Sequence, residues 1–304
     1  MSGRTKRKIY LVFDLLLWAC AFAGAAAILL TTPKENPDAW DMVACFGLVI
    51  CILLRIPVLV HELGHLLFGL LVGMKPISFT VSFFRFSGEG VKFIGGSKTA
   101  GATEMIPGSC KGVRARMIVF ALGGGVFNLI VGGVLLALYL CLPYHSGLLF
   151  CGLFSLFVLY EGIRALVPCE LAAGKTDGGV LLGLLKKAPE EEVMLRVLEV
   201  QGILYRNDFA HIKRELLFET PVVREDLPAF AALLLLRLQF LLYHKEDAQA
   251  VMSRLETLSE YFSDAEREEL EFYRSVIRGE RPEKSIKKEP LYGVRELKNH
   301  LMQS

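Results

Sequence analysis

The sequence predicts an all-α polytopic membrane protein with about four transmembrane helices, a small β-rich segment at the membrane surface and a soluble α-helical C-terminal domain. Three observations predict it. Hydrophobic residues make up 53% of the 304 positions, more than an ordinary soluble domain carries. Four apolar stretches reach the roughly 20 residues needed to cross a bilayer. From about Pro189 charges become frequent, and Val193, Val197, Leu198, Ile203 and Leu204 recur at helical spacing.

The first stretch is Ile9–Leu30. Arg4, Lys6, Arg7 and Lys8 precede it, and Ala21-Phe22-Ala23 resembles a signal cleavage site. The apolar run continues beyond that site, so the span reads as retained. The second stretch is Met42–Val72, the third Met117–Leu142 and the fourth Gly147–Val167, with a shorter apolar piece, Gly178–Leu185, behind it.

Orientation follows from the basic residues, which favour the cytosolic side. The segment between the second and third stretches holds Lys75, Arg85, Lys92, Lys98, Lys111, Arg114 and Arg116. The loop 31–41 holds only Lys34 against Glu35, Asp38 and Asp41, and the loop 143–146 holds no Lys or Arg. Both termini and the 74–116 segment are therefore expected in the cytosol, in a bacterial plasma membrane. Net charge of +2 gives no sign of nucleic-acid binding. The seven cysteines mostly fall in apolar runs without metal-ligand spacing, as small packing residues do.

Within 75–112, the run Ile77–Phe83 alternates with period two and glycines at 88, 90, 95, 96 and 101 punctuate turns. A small sheet is expected there, with an edge that an extended peptide can join. Farther on, Leu204–Ala210 echoes Leu242–Ala248 at an offset of 38 residues, a pattern of paired tetratricopeptide-like helices. Leu233–Leu236 is too short to span and reads as core. The expected division is an N-terminal span and external loop (1–41), a membrane core (42–188), a cytosolic helical domain that binds a protein partner (189–280) and a charged, flexible tail (281–304).

The chemistry is concentrated in His61-Glu62-Leu63-Gly64-His65, inside the second stretch. Residues i and i+4 share a helix face, so both imidazoles can reach one metal. Glu62 then stands where it can act on water at that metal. Two histidines leave a catalytic zinc short of one protein ligand. Asp177, opening Asp177-Gly178-Gly179, is the candidate third ligand at the same membrane depth; its other reading is a helix N-cap. Glu170 is a rival ligand. Charges in hydrocarbon must be paired or wetted, so the site must face a water-accessible cavity. Arg55 is expected to snorkel, and Glu161 to pair with Arg164.

Together these residues resemble the site-2 protease family of intramembrane zinc metalloproteases. The resemblance covers about 42–187. That family carries Gly-Pro-x-x-Asn in its middle core span; Gly124-Gly125-Val126-Phe127-Asn128 takes that place, with Gly125 where Pro is usual. The family's Asn-x-x-Pro appears as Ala165-Leu166-Val167-Pro168, without the Asn, and the gap from Pro168 to Asp177 is longer than usual. The resemblance implies zinc held by His61, His65 and Asp177, Glu62 as the catalytic residue, and Asn128 binding substrate backbone; an interhelical hydrogen bond is the other reading of Asn128. It implies an endopeptidase that cuts a transmembrane protein substrate in or near its span. Two alternatives stand beside it: a non-catalytic membrane adaptor, and a zinc protease acting on peptides at the membrane surface.

Overall fold

A computed structural model describes residues 3–31, 39–88, 90–93, 101–143, 145–171, 174–206, 209–225, 228–258, 262, 264–280, 297 and 300–302. Most of loop 31–41, residues 94–100 with Gly95, Gly96 and Lys98, and nearly all of the charged tail lie outside the described residues. The chain divides into two compact units: Met1–Met105 with Ala115–Leu185, and Ile106–Arg114 with Lys186–Ser304.

The first unit is built on apolar helices. α1 (Gly3–Thr31), α4 (Val113–Cys141) and α5 (Ser146–Leu166) are each long and apolar enough to cross a membrane. The second predicted span is different: it is α2 (Ala39–Leu53) and α3 (Ile56–Leu71), bent by 58° at their junction. At 15 and 16 residues, neither piece alone reaches a full span. Pro57 explains the break. It lacks an N–H and its ring collides with the carbonyl four residues back, so the hydrogen-bond ladder of α2 cannot run on through it. Arg55 adopts a left-handed backbone with φ 57°. Its carbonyl then accepts from Val58 and Leu59 at 3.0 and 3.1 Å, which restarts the helix as α3.

Leucines and isoleucines of α1, such as Leu30 at 86% exposure, remain uncovered by protein, as lipid-facing side chains do. Inside the bundle, glycines set the spacing. A Cβ at Gly64 on α3 would fall 2.5 Å from the Gly123 carbonyl oxygen of α4, and one at Gly162 on α5 would fall 2.9 Å from that of Gly125. Backbones approach closely only where side chains are this small. α1 is tied to α5 by polar groups as well: Tyr160 donates to Asp14 Oδ1 at 2.7 Å, and Tyr10 donates to the Arg164 carbonyl oxygen at 3.3 Å, while within α5 Arg164 grips both oxygens of Glu161. The expected Glu161–Arg164 pair is present. Arg55 is exposed at the α2–α3 break.

Between α3 and α4 lies a four-stranded sheet: β1 (Met74–Val81), β2 (Phe84–Ser87), β3 (Gly90–Phe93) and β4 (Gly101–Pro107), in the order β3-β2-β1-β4. β1 and β2 are antiparallel with Phe79 opposite Phe86, and β2 and β3 are antiparallel with Phe84 opposite Phe93. The covered face of β1 is partly polar: Ser78 and Thr80 are buried along with Met74, while Phe79 is only partly so. Ser78 donates to Glu104 at 2.5 Å, and Arg85 reaches the same carboxylate at 3.0 Å. The phenylalanines of β2 and β3 are exposed instead.

After α5, a two-stranded hairpin, β5 (Glu170–Leu171) and β6 (Gly174–Lys175), leads into α6 (Asp177–Lys186). All seven cysteines are free thiols.

The second unit is helical: α7 (Pro189–Tyr205), α8 (Arg214–Phe218), α9 (Pro228–Tyr243), α10 (Gln249–Glu256) and α11 (Asp264–Ile277). Pro189 starts α7 and Glu190, Glu191 and Glu192 fill its first turn, where proline fits and negative charge meets the helix dipole. Leu233–Leu236 on α9 is buried in this unit's core, as its length led us to expect. The two echoing stretches end α7 and α9, and the rings of Phe209 and Tyr243 within them lie 4.7 Å apart; Asn207 and Asp208 are outside the described residues. At the centre, Gln239 and Tyr273 both donate to the buried Glu269 carboxylate.

Candidate metal centre

α3 presents three faces to three surroundings. His61 and His65, four residues apart, point one way; Gly64 packs on α4; Leu63, Leu67, Leu70 and Leu71 remain exposed. The two imidazole Nε2 atoms lie 3.1 Å apart. Asp177 completes a triangle with them. Its Oδ2 lies 2.9 Å from His61 Nε2 and 3.3 Å from His65 Nε2. Among the described residues this is the group of His, Cys and carboxylate side chains that can share one cation.

Zinc fits this donor set. Bonds of about 2.0–2.2 Å to nitrogen and oxygen in tetrahedral geometry place neighbouring donors roughly 3.3–3.6 Å apart, close to the spacings found here. One of the imidazoles is also oriented for it. His65 Nδ1 lies 2.7 Å from the Phe120 carbonyl oxygen, an acceptor only, so Nδ1 carries the proton and Nε2 keeps its lone pair for a metal. Space is reserved as well. A Cβ at Gly124 would fall 2.5 Å from His65 Nε2 and 2.6 Å from His61 Nε2. Glycine at this one position of α4 leaves the donor atoms uncovered.

The long gap before Asp177 is resolved by the β5–β6 hairpin, which leaves α5 and returns to it. Thr176 closes the loop: its hydroxyl donates to Val167 O at 2.8 Å and accepts from Cys169 N at 3.0 Å. Its N–H bonds Cys169 O at 3.0 Å. The same hydroxyl accepts from Gly179 N at 3.2 Å, so Thr176 serves as the cap of α6 and leaves the Asp177 carboxylate for the histidines. Gly178 lies against the end of α5, where a Cβ would overlap the Leu166 carbonyl. Glu170, the rival ligand, is exposed on the hairpin opposite Lys175 and is not part of the triangle.

Glu62 is 6% exposed and faces β4. Thr103 Oγ1 donates to Glu62 Oε2 at 2.6 Å. Above the other oxygen lies Gly101, whose added Cβ would fall 2.7 Å from Glu62 Oε1. Asn128 is fully buried on α4, and its Nδ2 donates to the Pro57 carbonyl of α3 at 3.4 Å. The structure thus gives Asn128 an interhelical bond and does not bring it into the histidine–aspartate triangle.

Sequence reasoning missed Thr103, Thr176 and the Phe120 carbonyl, and it read Gly101 only as a turn residue. No motif links position 62 to 103, and a backbone carbonyl has no sequence signature. Gly124 was visible in Gly123-Gly124-Gly125 but read only as helix packing.

The model of peptidase family M50 matches residues 49–288. No curated protein and no solved structure matches the chain. A match over most of the chain, together with apolar helices around a His–His–Asp group, makes this protein a member of peptidase family M50, the zinc-dependent membrane metalloproteases of the site-2 protease kind.

Proposed function

We propose that the protein is an intramembrane zinc endopeptidase that hydrolyses a peptide bond in or near a transmembrane segment of a membrane protein. The observation that carries this reading is Asp177 meeting the two motif histidines within a unit of spanning helices. His61, His65 and Asp177 hold the metal. Zinc, when bound, supplies a Lewis acid that activates water and polarises the scissile carbonyl. Glu62 takes a proton from the attacking water as the new C–O bond forms. It then delivers that proton to the leaving nitrogen as the C–N bond breaks.

A helical substrate hides its carbonyls in its own hydrogen bonds, so it unwinds locally before the cut. β4 is an edge strand beside Glu62, which favours pairing with the unwound segment. The excess of Lys and Arg between the second and third stretches supports placing that segment, both termini and the C-terminal helices on the cytosolic side.

The test is a comparison of membrane proteomes from cells expressing wild type and Glu62→Gln. Truncated membrane proteins accumulating in the variant identify the substrate. Identical proteomes, with zinc bound in both proteins, overturn the peptidase reading in favour of an adaptor.

A further inference from the structure

β4 runs along the catalytic helix, and its alternate residues face α3. Gly101 lies over Glu62 and Val58, where an added Cβ would fall 2.7 Å from Glu62 Oε1 and 2.8 Å from Val58 Cγ1. Thr103 bonds Glu62. Met105 is buried against Gly69, one helical stretch farther on, where any side chain at 69 would collide with the Met105 thioether. Glu104, between them, points to the opposite face and binds Ser78 and Arg85. The strand is therefore fastened on both faces and cannot slip by one residue without burying Glu104 against α3.

This fit treats the two oxygens of Glu62 differently. A hydroxyl has one proton, and the 2.6 Å contact to Oε2 takes it in preference to the 3.1 Å contact to the Glu62 carbonyl. Oε2 is thus held. Oε1 lies beneath the one residue type that leaves open space beside it. A buried carboxylate with a long side chain has several rotamers, and a general base must hold one of them.

We propose that Thr103 is a positioning residue for Glu62, and that Gly101 keeps the working oxygen Oε1 accessible. The inference rests on the peptidase reading above. Thr103 touches no reacting atom; it acts by holding Oε2 so that Oε1 meets water. It also assigns the sheet a part in the reaction itself, beyond that of a connection between two helices.

The experiment uses the full-length, zinc-loaded protein in detergent and, as substrate, the membrane protein that accumulates in Glu62→Gln cells. Thr103→Val keeps shape and removes the hydroxyl. It should lower kcat by about 10–100-fold, the loss expected for one hydrogen bond to a charged group, with KM and zinc content unchanged. Thr103→Ser, which keeps the hydroxyl, should restore kcat to within a few-fold. Gly101→Ala should lower kcat while leaving zinc bound. An active wild type with Thr103→Val within twofold of it overturns the inference alone. Loss of activity in both Thr103→Val and Thr103→Ser also overturns it, because the strand's packing rather than the hydroxyl would then be responsible. A wild type that cuts nothing removes the peptidase reading, and this inference with it.

Discussion

Thr176 Oγ1 accepts the Gly179 N–H at 3.2 Å, and so the cap of α6 stands one residue before the carboxylate that meets His61. Were Asp177 the cap, its oxygen would be engaged with the first turn of its own helix. Thr176→Val removes the cap and the tie to Val167 together. It should weaken zinc retention by about 10–100-fold, as loss of a group supporting a ligand typically does. Thr176→Ser should hold zinc like wild type. Competition with a chelating dye measures both.

His61→Ala and Asp177→Ala each remove one corner of the donor triangle. Purified variants should contain almost no zinc by elemental analysis and should cleave nothing. Glu170→Ala, which lies outside the triangle, should keep the zinc content of wild type. Zinc loss in Glu170→Ala with retention in Asp177→Ala would reassign the third ligand.

Two glycines of α4 make a matched pair. An added Cβ at Gly124 falls on the donor nitrogens of both histidines, whereas one at Gly133 meets nothing within 4 Å. Gly124→Ala should therefore abolish zinc binding and cleavage. Gly133→Ala should leave both intact and stabilise the helix by up to about 1 kcal/mol. Thermal unfolding in detergent, with zinc content on the same samples, separates the outcomes.

In the helical unit, burial and then the Glu269 carboxylate push the Tyr273 phenol well above its usual 10.0. An unfolded chain ionises this tyrosine near pH 10.0 and the folded one does not. The stability it contributes is whole below that pH and is lost as pH rises towards the folded value. Melting temperature should accordingly fall more steeply above about pH 10 in wild type than in Tyr273→Phe, whose absolute stability is lower at pH 7 because the buried Glu269 loses a donor. Equal slopes in the two proteins would show that Tyr273 does not carry the effect.

Much of this protein was legible in its residues. Apolar runs predicted the spanning helices to within a few positions, because lipid demands long uninterrupted stretches. The spacing of His61 and His65 predicted a shared helix face, since helical period is a local property. The break at Arg55–Pro57 was less visible, although Pro57 carried the physical cause. The hydrophobic run continued across it and read as one span.

What the sequence determined by itself was the local chemistry: two imidazoles and a carboxylate on one apolar helix, and an Asp-Gly-Gly far along the chain as a candidate partner. Only the tertiary structure decided which groups surround them. It folds the long stretch after Pro168 into a hairpin that returns Asp177 to the histidines, empties the space above them with Gly124, and lays Thr103 against Glu62. Each of these depends on the approach of segments distant in sequence. Such contacts are set by packing in three dimensions, and residue spacing along the chain does not encode them.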